Sequence, residues 1–392
     1  MLLLAAACGV IVANIYYAQP IAGPIGHTLG LSISATGLIV TLTQIGYGLG
    51  LLFIVPLGDL IETRKLVLLA LILAGTALLV AATARHPAEF LIASLVVGIA
   101  STAVQILVPY AASLAAVEIR GRVVGQIMSG LLIGIMLARP AASFVDSLYG
   151  WQAIFYIAAA LMAAISLPIL FRLPPRQPTS SQPYSALLAS MFSLYRTMPV
   201  LRRRAFYQAL MFGAFTLFWT TTPLLLAGPP YHLTQRGIAL FALAGVAGAL
   251  AAPIAGTLAD RGRSRAATGI AMAAAMAGFL LTRISNTPPW LSIGLLTAGA
   301  ILLDFGVQST LVIGQRAIYT LGAEYRSRLN GLFMATFFAG GAACSAIGAW
   351  SFERGGWPLA SLIGVALPSL ALGYFATELR TGITTSSSNT ES

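Results

Sequence analysis

Arg120-Gly121-Arg122-Val123-Val124-Gly125 opens an apolar run that passes Gly134 and closes on Gly150-Trp151. The same signposts return 206 residues later as Arg326-Ser327-Arg328, Gly331, Gly340 and Gly356-Trp357. A second correspondence runs at 201 residues, pairing Asp59 with Asp260 and Arg64 with Arg265. Gln19-Pro20 takes the place of Thr222-Pro223. Two copies of one unit therefore follow each other along the chain, and internal similarity of this kind governs the architecture.

The surrounding composition says what the unit is made of. Of 392 residues, 58% are hydrophobic and 8% charged, against about 25% charged in a soluble domain. A soluble protein cannot wet such a surface, so the solvent is a bilayer. A spanning helix needs about 20 apolar residues. Twelve runs qualify: 2–22, 33–58, 66–84, 88–113, 124–146, 151–171, 204–228, 237–259, 265–283, 289–316, 328–350 and 357–378. They are helices because lipid offers no partner to an unpaired backbone group, and the short alternating segments of a barrel are missing. The expected fold is an all-α membrane protein with twelve transmembrane helices in two pseudo-symmetric six-helix bundles. An even number of spans per copy makes the copies parallel, related by an axis along the membrane normal.

The expected domains are an N-terminal bundle at 1–173, a linker at 174–203, a C-terminal bundle at 204–380 and a tail at 381–392. The linker is rich in Pro, Ser and Gln and ends in Arg202–Arg204. Its second part, Ser185–Tyr195, suits a short surface helix. The first run starts at Met1 with no basic flank, which favours a retained helix over a cleaved signal peptide.

The formal net charge is +11, and Lys65 is the one lysine among 22 basic residues. Nucleic-acid binding is not expected, because these charges sit in breaks between apolar runs, where they set orientation. With the N-terminus inside, 17 basic residues fall in internal breaks, 4 in external ones, and Arg139 within a run. Both termini are therefore expected in the cytoplasm. Cys8 and Cys344 lie in apolar runs and read as small core residues. His27, His86 and His232 have no second ligand at helical spacing, so no metal is expected. No phosphate loop, paired-carboxylate site or nucleophile triad is present. The chain is not expected to be an enzyme or to carry a cofactor.

Two charges stand inside apolar runs. Arg139 lies about 22 Å from the cytoplasmic end of span five, at ~1.5 Å per residue. A guanidinium there costs about 2.5–3.5 kcal/mol on insertion scales, so it must face a partner or a polar cavity. Its repeat equivalent is Ser345, so packing alone requires no cation. Asp304 lies about 18 Å from the cytoplasmic end of span ten by the same rise. Burial penalises a charged carboxylate, which makes Asp304 the candidate proton site. Gln308 is one turn on and shares its face. The similar depth of Arg139 and Asp304 leaves a switchable pair open, although spans five and ten need not touch.

Gly256-Thr257-Leu258-Ala259-Asp260-Arg261-Gly262-Arg263-Ser264-Arg265 resembles the loop signature of the Major Facilitator Superfamily. The first-half copy, Val55 to Lys65, keeps Asp59, Arg64 and Lys65 but has Val55 for the first Gly and Leu60 for the Arg after the Asp. Ala13-Asn14-Ile15-Tyr16-Tyr17-Ala18-Gln19-Pro20 is similar to the first helix of the bacterial drug- and sugar-efflux permeases in that superfamily. The stretch from Ser129 to Pro140 is similar to their fifth helix. Ala138 and Arg139 depart from the antiporter motif, and Ser94 stands where the family carries an intramembrane Arg.

The resemblance implies that spans one, four, seven and ten line a central cavity. Asn14, Tyr16, Tyr17, Gln19, Gln105, Trp219, Thr220 and Gln308, with Arg139, are the candidate solute contacts. Gln208 and Thr221 share that cavity-lining register. A carboxylate at a helix end beside cations makes a breakable latch, so Asp59, Arg64, Asp260, Arg261 and Arg265 are the candidate gating residues. The expected function is export of a small organic solute, a drug-like molecule or a sugar, by alternating access with proton antiport. The alternative is a proton symporter or uniporter importing a small organic anion held by Arg139. A non-transporting receptor is the third class. The expected partners are the lipid bilayer, the solute and protons, for a monomer in the bacterial inner membrane.

Overall fold

A computed structural model describes residues 2–116, 119–177, 183–250, 254–255, 257, 263–284 and 288–380; side chains at 120, 247–250, 323 and 379–380 are outside the description. Among the described residues the chain is helical throughout, without strands. Nine helices among the described residues are long and apolar enough to cross a membrane. The last of these, Arg326–Arg380, holds spans eleven and twelve, broken at Gly355 and Gly356, where Gly356 has φ +58°. Spans one and eight supply the remainder as shorter pieces, Leu2–Ala13 and Gln235–Ala242 with its 3-10 continuation Leu243–Leu250. Twelve crossings in two six-helix halves result.

Span one differs from the continuous helix expected over 2–22. Its helix stops at Ala13, Asn14 to Ile21 runs through turns, and helix resumes at Ala22–Leu29. The turns carry three-residue hydrogen bonds such as Tyr16 N to Ala13 O at 2.9 Å and Gln19 N to Tyr16 O at 3.3 Å. Pro20 keeps the second part of the break from regular helix, since it lacks an N–H for the Tyr16 carbonyl and disfavours the helical conformation at Gln19. The segment that holds Asn14, Tyr16, Tyr17 and Gln19 is thus non-regular backbone enclosed by protein. Non-helical backbone at membrane depth survives only in such places.

Span five, Arg120–Tyr149, packs on span one through glycines. A methyl group built on Gly134 would strike the backbone of Gly9, and one on Gly130 the backbone of Ala5. The absent side chains are what let the two helices approach.

The halves meet along two seams. Span two, Ile33–Phe53, runs beside span eleven, and span five meets span eight. The repeat offsets relate these seams, since Gln44 corresponds to Gly245 and Ser345 to Arg139. In the first seam Thr41 Oγ1 and Ser345 Oγ share a hydrogen bond at 2.7 Å, and beside it Gln44 Nε2 donates to Thr216 Oγ1 of span seven at 3.4 Å. Contact continues from Gly37 against Ala349 to Gly331 against Leu51. That is about 21 Å at ~1.5 Å per residue, so this seam is closed along its length.

The linker carries the surface helix, at Tyr184–Thr197. It lies over one end of the first seam. Tyr184 donates to the Phe53 carbonyl at 2.8 Å, and Arg328 Nη1 donates to Ser190 Oγ at 2.8 Å. Arg203 and Arg204 belong to span seven, Pro199–Ala227. Arg204 pairs with Glu378 at 3.0 Å, and Tyr207 donates to the same carboxylate at 3.0 Å.

Candidate solute and proton site

Span seven is buried on all sides over most of its length. A helix apolar all round belongs at the centre of a bundle. It delivers Phe215 and Trp219, one turn apart, to the middle of the molecule. Span five brings Arg139 to the same place, with Pro140 beside it inside the helix. Span ten, Pro289–Tyr319, brings Asp304. Arg139 and Asp304 are each only 3% exposed.

The two charges share one indole. Trp219 Nε1 donates to Asp304 Oδ1 at 2.9 Å. The guanidinium carbon of Arg139 lies 4.7 Å from the Trp219 ring centre, 4.7 Å from that of Phe215 and 5.1 Å from that of Tyr16. Arg139 Nε donates to Gln19 Oε1 at 2.8 Å. Gly245 of span eight completes the ring. A side-chain carbon built there would lie 3.0 Å from Asp304 Oδ2, 3.2 Å from Trp219 Cζ2 and 3.5 Å from Arg139 Nη1. Cation and carboxylate therefore reach a common point, although they come from opposite halves. A desolvated cation–π contact contributes about 2 kcal/mol; with three rings and an amide, these contacts offset the cost of burying Arg139.

The other candidates divide around this centre. Tyr16 and Tyr17 are both buried, so neither forms an interfacial belt, and Tyr16 is the one against Arg139. Asn14 Nδ2 faces Met162 Sδ at 3.4 Å, while its Oδ1 is buried without a partner, as is Thr220 Oγ1. Gln105 donates to the Tyr47 hydroxyl at 3.2 Å. Gln208 donates to the Val307 carbonyl at 3.3 Å, tying span seven to span ten. Thr221 bonds back to its own helix at Leu217 O, 2.8 Å away. Gln308 is half-buried and is not the hydrogen-bond partner of Asp304; Trp219 is. Phe215 and Gly245 were not candidates in the sequence reading. Phe215 stands one turn before Trp219 and was open to discovery by spacing, whereas Gly245 has no side chain to announce it.

At the linker-bearing end, Asp59 closes the 3-10 turn Val55–Asp59 and feels the charges of Arg176 and Arg328. Arg328 belongs to span eleven, so this carboxylate faces a cation from the other half. Arg64 turns away to the Leu170 and Leu173 carbonyls at 3.4 and 3.3 Å, and to Glu62 at 3.5 Å. It ties span three to the end of span six. Arg265 is exposed at the start of span nine. Asp260 and Arg261 lie outside the described residues. No group of three or more His, Cys, Asp or Glu able to hold a metal occurs among the described residues.

Residues 2–318 match the Major Facilitator Superfamily. The chain is 39% identical over 367 residues to the uncharacterized transporter YgaY of Escherichia coli, covering 94% of this chain and 92% of that one. It is 34% identical over 383 residues to the probable transporter SCO4007 of Streptomyces coelicolor, covering 96% and 86%. Its fold is similar to that of the nucleoside transporter NupG, with TM-score 0.72, 17% identity and coverage of 98% and 99%. It is also similar to an inward-facing, unoccupied bacterial homolog of the human lysosomal transporter Spinster, with TM-score 0.73, 13% identity and coverage of 97% and 96%. Fold and relatives define a multi-pass membrane transporter of small molecules rather than an enzyme. The chain belongs to the Major Facilitator Superfamily.

Proposed function

We propose that this chain exports a small organic solute, a drug-like molecule or a sugar, by alternating access coupled to proton antiport. The observation that carries the reading is the meeting of Arg139 and Asp304 at Trp219 and Gly245. A carboxylate from one half and a guanidinium from the other share the Trp219 indole, and rocking must break and remake the contact between Arg139 and that ring. Asp304 carries the proton. Arg139, Gln19, Tyr16 and Trp219 contact the solute, and Asn14, Tyr17, Gln105, Thr220 and Gln308 line the path around them. Asp59 latches the linker-bearing end against Arg328, with Arg64, Asp260, Arg261 and Arg265 supporting that gate. The linker face is cytoplasmic, both termini lie inside, and the protein works as a monomer in a bacterial inner membrane. Similarity of Asn14–Pro20 and Ser129–Pro140 to efflux permeases supports the export direction.

Purified protein in liposomes tests the reading. An imposed pH gradient should drive solute against the proton flow, and Asp304→Asn should abolish that drive while leaving solute exchange at equal pH. Solute moving with the protons would replace antiport by symport. Flux indifferent to the gradient in both proteins would remove proton coupling.

A further inference from the structure

The charge of the solute can be read from the same site, and the inference rests on the carrier reading above. Arg139 spends Nε on Gln19, while Nη2 is buried with no hydrogen-bond partner. Asp304 spends Oδ1 on Trp219, while Oδ2 faces the point above Gly245 that Arg139 Nη1 also reaches. Unused donor capacity on Arg139 therefore stands at the aromatic faces of Trp219 and Phe215, and Asp304 Oδ2 borders the same indole across the point above Gly245. The two formal charges cancel. A solute with net charge would leave one charge uncompensated in a low-dielectric interior, which is costly.

We propose that the solute is uncharged and flat-faced, with an acceptor for Arg139 and a donor for Asp304 at neighbouring positions. The charge class sets the sense of coupling. A neutral donor is held more tightly by the ionised carboxylate of Asp304 than by the protonated acid, so solute and proton compete, which is antiport. An anion would bind better once Asp304 is protonated, which is symport. The titratable groups facing Asp304 are Arg139 of span five and Tyr16 of span one. Span seven presents Trp219 and span eight Gly245, neither of which titrates.

Benzamide, benzoate and benzamidinium share one shape and differ in charge, so they isolate the question. Thermal stability of the purified full-length protein is measured with each, at mildly alkaline and mildly acidic pH. Benzamide should stabilise most, its shift should shrink in acid, and Asp304→Asn should leave a smaller shift without that pH dependence. Gly245→Leu fills the shared point and should abolish the shift while melting stays cooperative. A larger shift with benzoate or benzamidinium, still lost in Gly245→Leu, overturns the neutral class and leaves the central site standing. Shifts that ignore both substitutions, or no shift with any probe, overturn the inference together with the site.

Discussion

Trp219 holds Asp304 by its indole nitrogen at 2.9 Å and carries the Arg139 guanidinium 4.7 Å from its ring centre. One side chain thus satisfies a buried carboxylate of its own half and a buried cation of the other. The first contact lies within one rigid bundle; the second crosses the boundary between bundles. Rocking of the halves would part Arg139 from the ring and leave the hydrogen bond intact.

Trp219→Phe keeps an aromatic face for Arg139 and deletes the donor to Asp304. Loss of a hydrogen bond to a charged, buried group costs about 1.5–3 kcal/mol. The variant should melt lower than the parent in detergent and lose solute binding. An unchanged melting temperature and unchanged binding would show that the indole nitrogen has no such role.

Gly134→Ala and Gly125→Ala form a matched pair in span five. The first drives a methyl into the Gly9 backbone; the second meets nothing within 4 Å. Overpacking costs about 1–3 kcal/mol, whereas surface changes stay within about 0.5 kcal/mol. Only Gly134→Ala should lower the thermal midpoint.

Thr41 and Ser345 test the closed seam. Their hydroxyls lie 2.7 Å apart across the two halves. With Cys8 and Cys344 replaced by Ala, the pair Thr41→Cys and Ser345→Cys should cross-link under oxidation and arrest transport. A reductant should restore it. Full transport by the cross-linked protein would mean that this seam need not open.

Orientation is open to labelling. His86 and Thr197 are exposed at opposite ends of the bundle. In the same cysteine-free background, His86→Cys should react with a membrane-impermeant maleimide in intact cells. Thr197→Cys should react only after permeabilisation. The reverse pattern would invert the proposed topology.

Much of the architecture was legible in the chain because its causes are local or periodic. Apolar run length is fixed by bilayer thickness, and the 206-residue recurrence needs no coordinates to be seen. Arg139 and Asp304 announced themselves because a charge in an apolar run demands a partner. The break at Asn14–Ile21 was less visible. Pro20 hinted at it, but the Tyr16 and Gln19 positions around Arg139 depend on how that irregular segment folds back. Gln308 illustrates the opposite error, since helical spacing made it the neighbour of Asp304 while packing chose Trp219 of another span.

The bilayer solvent, the helical class, the doubling of the unit and the two residues whose burial needs explaining are all legible along the chain. Hydropathy and repetition act along the chain, so one dimension suffices to read them. The convergence of Arg139, Trp219, Asp304 and Gly245, from four spans and both halves, on one point emerges in the folded bundle alone. Such convergence is set by helix packing and rotation in the bundle, and residues distant in sequence carry no local mark of the neighbours they will meet.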